Sequence, residues 1–132
     1  MTKTDVRELA LGILLEVTEQ REFCHMALGN VLEKYQYLEK QERAFLSRLT
    51  HGTLERLLEL DYIINRFSKV KTGKMKPVIR NILRLSVYQL KYMDSVPDAA
   101  VCNEAVKLAR KKGFSGLAGF VNGVLRSIAR GL

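Results

Sequence analysis

Residues 77–92 read PVIRNILRLSVYQLKY, and the reading of this stretch decides the fold. Val78, Ile79, Ile82, Leu83, Leu85, Val87 and Leu90 recur at helical spacing and cover most of a helix circumference. Pro77 suits the first turn of such a helix, where its missing N–H is not needed. The stretch is therefore expected to be the central helix of a bundle.

The same period continues outward. Residues 68–76, SKVKTGKMK, lack a strong apolar pattern and are expected to form a loop. Before it, a helical run from about Glu39 to Phe67 carries Phe45, Leu46, Leu49, Leu54, Leu57, Leu58, Tyr62 and Ile63, with Gly52 expected to kink or divide it. A short helix is expected over about His25 to Tyr35. The first helix carries the stripe Val6, Leu9, Ala10, Ile13, Leu14 and Val17, with Thr4 or Asp5 as its N-cap. Downstream, Pro97 opens a helix over about Asp98 to Lys112, ended by Gly113. Ser115 is expected to cap a last helix bearing Leu117, Phe120, Val121, Val124, Leu125 and Ile128. With no strand alternation, repeat or linker, residues 1–132 are expected to form a single all-α domain, a bundle of six or seven helices.

The 132 residues are 47% hydrophobic and 27% charged, which is ordinary for a globular chain and argues against disorder. No run of 18 apolar residues is free of charge, so no membrane span is expected. The start, Met1 to Arg7, lacks a signal-peptide layout, and a cytoplasmic location is expected. Two cysteines, Cys24 and Cys102, make no disulfide framework and are expected as free buried thiols. The net charge of +8 is unevenly spread. Residues 1–65 hold 8 Lys/Arg against 11 Asp/Glu (net −3), and residues 66–132 hold 14 against 3 (net +11). Such a field draws in a polyanion, of which nucleic acid is the common example. A membrane surface or an acidic protein stays open on charge alone.

Enzyme signatures are missing. Gly113, Gly116, Gly119 and Gly123 are not spaced as a dinucleotide-binding turn, and Gly73-Lys74 lacks the upstream glycine of a phosphate loop. His25 and His51 have no partner at metal-ligand spacing. No catalytic residue, metal or cofactor is expected in this chain.

Two basic features are candidates for binding. At 100° per residue, Lys76, Arg80, Arg84 and Lys91 fall within a sector of roughly 80°. They form either a solvated stripe or a phosphate-tracking row that Lys69, Lys71 and Lys74 continue. The second is Arg110-Lys111-Lys112-Gly113-Phe114-Ser115, where three cations end one helix just before the next begins. They either complement the helix dipole or, with the following helix N-terminus, hold an anion. Phe114 and Phe120 offer faces on which an unpaired base could stack, though Phe120 also fits the apolar stripe. Asn103 and Asn122 interrupt apolar patterns and are expected to fix helix packing, with Glu104 pairing to an arginine of another helix. Gly119 and Gly123 have the spacing that allows close helix approach.

The run VPDAAVCNEAVKLARKKG (96–113) followed by GFVNGVLRSIAR (119–130) resembles the carboxy-terminal half of NusB-like domains. The runs VRELALGILLEV, MALGNVLEKY and ERAFLSRLTHGTLER match the family in order. One branch of the family is the free-standing antitermination factor, which binds single-stranded RNA with a ribosomal protein. The other is the amino-terminal domain of the Fmu/Sun/RsmB enzymes, which use S-adenosylmethionine to methylate a cytosine of small-subunit (16S) ribosomal RNA. Arg126 after FVNGVL, the run HGTLER, and a start holding only Lys3 and Arg7 look like the second branch. The resemblance implies a non-catalytic, RNA-binding module that positions ribosomal RNA, with Lys111, Lys112 and Phe120 on the nucleic-acid face. S-adenosylmethionine is then expected only in an attached catalytic domain. A ribosomal protein or that domain is an expected further partner. A free-standing antitermination factor and a helical protein-interaction module are the alternatives.

Overall fold

The computed structural model describes residues 4–132. Met1 and Lys3, which entered the reading of the amino terminus, lie outside the described residues. Among these residues seven helices follow in order: α1 Val6–Gln20, α2 Cys24–Lys34, α3 Lys40–Glu55, α4 Leu57–Phe67, α5 Pro77–Tyr92, α6 Asp98–Lys111 and α7 Ala118–Gly131. Two short 3₁₀ turns, Thr72–Lys74 and Ser115–Leu117, precede α5 and α7. Among the described residues there is no strand, and no helix is long and apolar enough to cross a membrane.

Helix α5 is the centre, packed against α1, α3, α4, α6 and α7. Ile79, Ile82, Leu83, Leu85 and Val87 are buried on its flanks, and so are the polar Asn81, Ser86 and Gln89. Each of these polar groups has a partner, as burial requires. Asn81 Nδ2 donates to Pro77 O (3.0 Å) and Thr18 Oγ1 (3.2 Å), Ser86 Oγ donates to Ile82 O (2.7 Å), and Gln89 Oε1 accepts from Arg7 Nε (3.0 Å).

The helix ends follow local chemistry. Asp5 caps α1, its carboxylate accepting from the backbone N–H of Arg7 and Glu8 at 3.0 and 3.3 Å. Helix α6 closes with Gly113 at φ +89, the left-handed conformation glycine adopts without a Cβ penalty. The Phe114 N–H then reaches back to Ala109 O (2.8 Å) and the Gly113 N–H to Arg110 O (3.1 Å), the paired bonds of a Schellman motif. Ser115 does not cap the last helix; it opens the 3₁₀ turn, and α7 begins at Ala118.

Gly52 does not divide the long run. The break falls at Arg56, whose backbone (φ −115, ψ 23) leaves the helix between α3 and α4. Gly52 sits in α3 where a Cβ would lie 2.1 Å from the Tyr88 ring, so it is small because α5 passes against it. Gly119 and Gly123 are the reverse: both are exposed, a Cβ on either would meet nothing within 4 Å, and neither mediates helix approach.

This contrast yields a paired prediction. Gly52→Ala should destabilise the fold by about 1–3 kcal/mol through overpacking. Gly12→Ala, inside α1 with nothing within 4 Å of its Cβ position, should stabilise it by about 0.5–1 kcal/mol. Urea unfolding followed by circular dichroism checks both signs.

Candidate nucleic-acid interface

The cations of α5 do not form one open row. Arg80 Nη2 donates to both Glu19 carboxylate oxygens of α1 at 2.8 Å. Arg84 grips Asp61 of α4 through two bonds of 2.8 Å, donates to Asn81 Oδ1 at 3.0 Å, and is only 11% exposed. Lys91 Nζ donates to Glu59 of α4 at 3.1 Å, and the Tyr92 hydroxyl donates to the same carboxylate. A helix covered on most sides turns its cations towards carboxylates of its neighbours. Arg80 and Arg84 are therefore interhelix clamps, and Lys76 is the exposed member of the row with no carboxylate partner among the described residues.

These pairs set an acid sensitivity. The Arg80 guanidinium holds Glu19 below its ordinary value, and the Tyr92 hydroxyl, then Lys91, does the same for Glu59. Glu59 in turn holds the Lys91 ammonium above its ordinary value.

At the end of α6, Lys111 and Lys112 share one partner. Their Nζ atoms each lie 2.7 Å from a different oxygen of Glu8 on α1. The hydrogen bond from Lys111 is the foremost cause lowering the Glu8 pKa, followed by that from Lys112. Lys111 is raised by the same contact. Both lysines still present surface, at 52% and 35% exposure. Arg110 is exposed and has no carboxylate partner among the described residues.

The aromatic and polar candidates fall differently. Phe114 is the apolar residue of the Schellman motif and packs partly buried against the core, as does Phe120. Arg126 donates to Asn103 Oδ1 (3.2 Å) and Asn122 Oδ1 (3.3 Å), so the two asparagines join α6 to α7 through that arginine. Glu104 pairs with Lys107 of its own helix at 3.7 Å, not with an arginine of another helix. Cys102 is buried, whereas Cys24 is only half-buried, its Sγ 3.7 Å from His51 Nδ1. Among the described residues no three candidate metal ligands gather.

Sequence reasoning gave Lys69, Lys71 and Lys74 a minor part, yet with Lys76 they are among the cations that no carboxylate pairs. All four are exposed, and no carboxylate pairs with them among the described residues. The segment carrying them is anchored, not loose. Thr72 and Met75 are buried, Asn65 Oδ1 accepts from the Thr72 N–H at 2.8 Å, and Lys71 Nζ donates to Asn65 O at 3.1 Å. Glu8 was missed altogether, because nothing local signals a partner in the sixth helix.

Among the described residues, a bundle of seven helices around a buried central helix, with unpaired cations in the segment before α5 and at the end of α6, defines an all-α domain. The chain belongs to the NusB family, whose model matches residues 4–130. It is 41% identical over 98% of its length to "Probable ribosomal RNA small subunit methyltransferase B" of Bacillus subtilis (strain 168), and spans 29% of that protein. A Synechocystis protein of the same description is 36% identical, with 94% of this chain and 28% of the relative covered. The chain thus spans less than a third of these methyltransferase relatives. "Transcription antitermination protein NusB" of Desulforamulus reducens is 32% identical over 95% of the chain and 87% of that protein. Among solved structures, that of "Antitermination Factors NusB and NusE in complex with dsRNA" superposes with a TM-score of 0.87 at 25% identity, covering 96% of this chain and 95% of that one.

The sign of the pH effect follows from the lowered carboxylates. Their stabilisation is fully present above the ordinary value of 4.5 and is lost as pH falls through their lower folded values. Unfolding midpoints should therefore drop as pH is taken from about 5 downward, and Glu19→Gln should flatten that dependence. A denaturant series at several pH values measures both.

Proposed function

We propose that this chain is the RNA-binding, substrate-positioning amino-terminal module of a small-subunit ribosomal RNA cytosine-5 methyltransferase. One observation carries the reading: identity is 41% to a methyltransferase relative of which the chain spans 29%, against 32% to an antitermination protein that it nearly spans. The open cations Lys69, Lys71, Lys74, Lys76 and Arg110, with Lys111 and Lys112, supply phosphate contacts. Such contacts set position and register with little sequence information, which suits a module that presents one cytosine to a separate active site.

Catalysis and S-adenosylmethionine belong to an attached domain. The working compartment is the cytoplasm, where ribosomal RNA is assembled. The attached domain, or a ribosomal protein, is the further partner. The antitermination reading is favoured by the 87% span of the D. reducens relative, and the genomic frame separates the two. A methyltransferase frame running on from Leu132 supports the enzyme module, and a stop codon there supports the free-standing factor.

RNA affinity should fall steeply with salt. Replacing Lys69, Lys71 and Lys74 by Glu should reduce the slope of log K against log[salt] by about 0.7 for each phosphate no longer neutralised. Fluorescence anisotropy across a salt series measures it. A flat line for the parent protein defeats the proposal.

A further inference from the structure

We propose that the outer face of α4 is a self-association surface, on which a second copy of this chain packs its own α4 antiparallel about a two-fold axis. Self-association there does not depend on the RNA-binding reading.

Helix α4 buries Leu60, Ile63 and Ile64 on its inner side, and the opposite side of such a helix is ordinarily polar. Leu58 and Tyr62 lie there instead, 88% and 63% exposed. Both belong to the apolar run read from the sequence, yet neither enters the core. Large apolar side chains scattered singly are ordinary on a surface. These two stand four residues apart, so they are neighbours on one helix face and form a patch. Arg66, one turn further, holds its guanidinium 5.9 Å from the Tyr62 ring. Glu55, at the end of α3, precedes Leu58 by three residues. Arg56 between them departs from helical φ and ψ in opposite senses, so the direction of the chain carries on. Glu55 and Arg66 are both exposed, and neither has an ion-pair partner among the described residues. Glu59 and Asp61, the other acids of α4, are already taken by Lys91 with Tyr92 and by Arg84.

A two-fold axis fixes what meets what: where one residue faces another, the reverse contact forms as well. With the axis at the level of Leu60, Leu58 of each copy faces Tyr62 of the other. Glu55 then comes opposite Arg66 of the second copy to within one residue, or about 1.5 Å of register. The same pair forms again at the other end. An acid, two apolar groups and a base, in that order along one face, are complementary to themselves when reversed. A copy of the chain supplies that reversed order by symmetry alone. Four side chains from each copy are fewer than the roughly 20–30 residues a side of a stable interface. The net charge of +8 on each copy adds a general repulsion. The association is therefore weak and reversible, and the matched charges set its register.

Sedimentation equilibrium of the 132-residue chain, from about 1 μM to about 1 mM, tests this. The weight-average mass should rise from 15.0 kDa towards twice that value. Leu58→Glu should stay monomeric throughout, with the circular dichroism of the parent, because Leu58 is 88% exposed and leaves the core untouched. Glu55→Arg and Arg66→Glu each set like charges opposite one another, and each alone should weaken association about tenfold or more. Mixed in equal amounts, the two variants should associate as the parent does, since each carries the charge that the other lacks. A patch that is merely sticky gives no such rescue. The inference is overturned by a parent that stays monomeric, by Leu58→Glu associating like the parent, or by a mixture no tighter than its components. The first of these results leaves the face to a different protein.

Discussion

Helix α5 is surrounded by other helices, and its polar side chains must find partners within the protein. That constraint decides where the charge goes. Asn81, Ser86 and Gln89 are buried and bonded, and Arg80 and Arg84 close onto Glu19 and Asp61. The carboxylates that meet the second-half cations Arg80, Arg84, Lys91, Lys111 and Lys112 are Glu19, Asp61, Glu59 and Glu8, all within the first 65 residues. Part of the opposite charge of the two chain halves thus joins early helices to late ones. Burial strengthens such pairs only while both partners are present, since an unpaired buried charge is costly.

What remains after this pairing is the surface free to meet a polyanion. It is smaller than the net charge of +8 suggests. It includes the anchored segment from Lys69 to Lys76 and the end of α6, where Arg110 is open and two lysines share one carboxylate. Half-exposed pairs such as Glu8 with Lys111 and Lys112 contribute little to stability in water. The Arg84–Asp61 pair, 11% and 21% exposed, is better shielded from it.

Three glycines show how one residue type answers to different physics. Gly113 takes a left-handed backbone that ends α6. Gly52 makes room for the Tyr88 ring, and Gly12 leaves a trough open beside α2. Only the first was legible in the chain itself, because a helix stop is written in neighbouring residues. A close approach by a ring 36 positions away in sequence, or an unfilled groove, has no local signature.

By itself the sequence determined the all-α class, the central place of residues 77–92, the Asp5 cap, the Gly113 stop and the family, because periodicity, capping and ordered motifs are local properties of a chain. Tertiary structure alone decided which cations are free. Arg80 and Arg84 share a helical sector with Lys76, yet they end on carboxylates from α1 and α4 while Lys76 stays in water. Phe114 looked like a loop residue and is the apolar anchor of a helix end. The fate of a charge or a ring depends on what folds against it, and that partner lies tens of residues away, beyond the reach of any pattern in the chain.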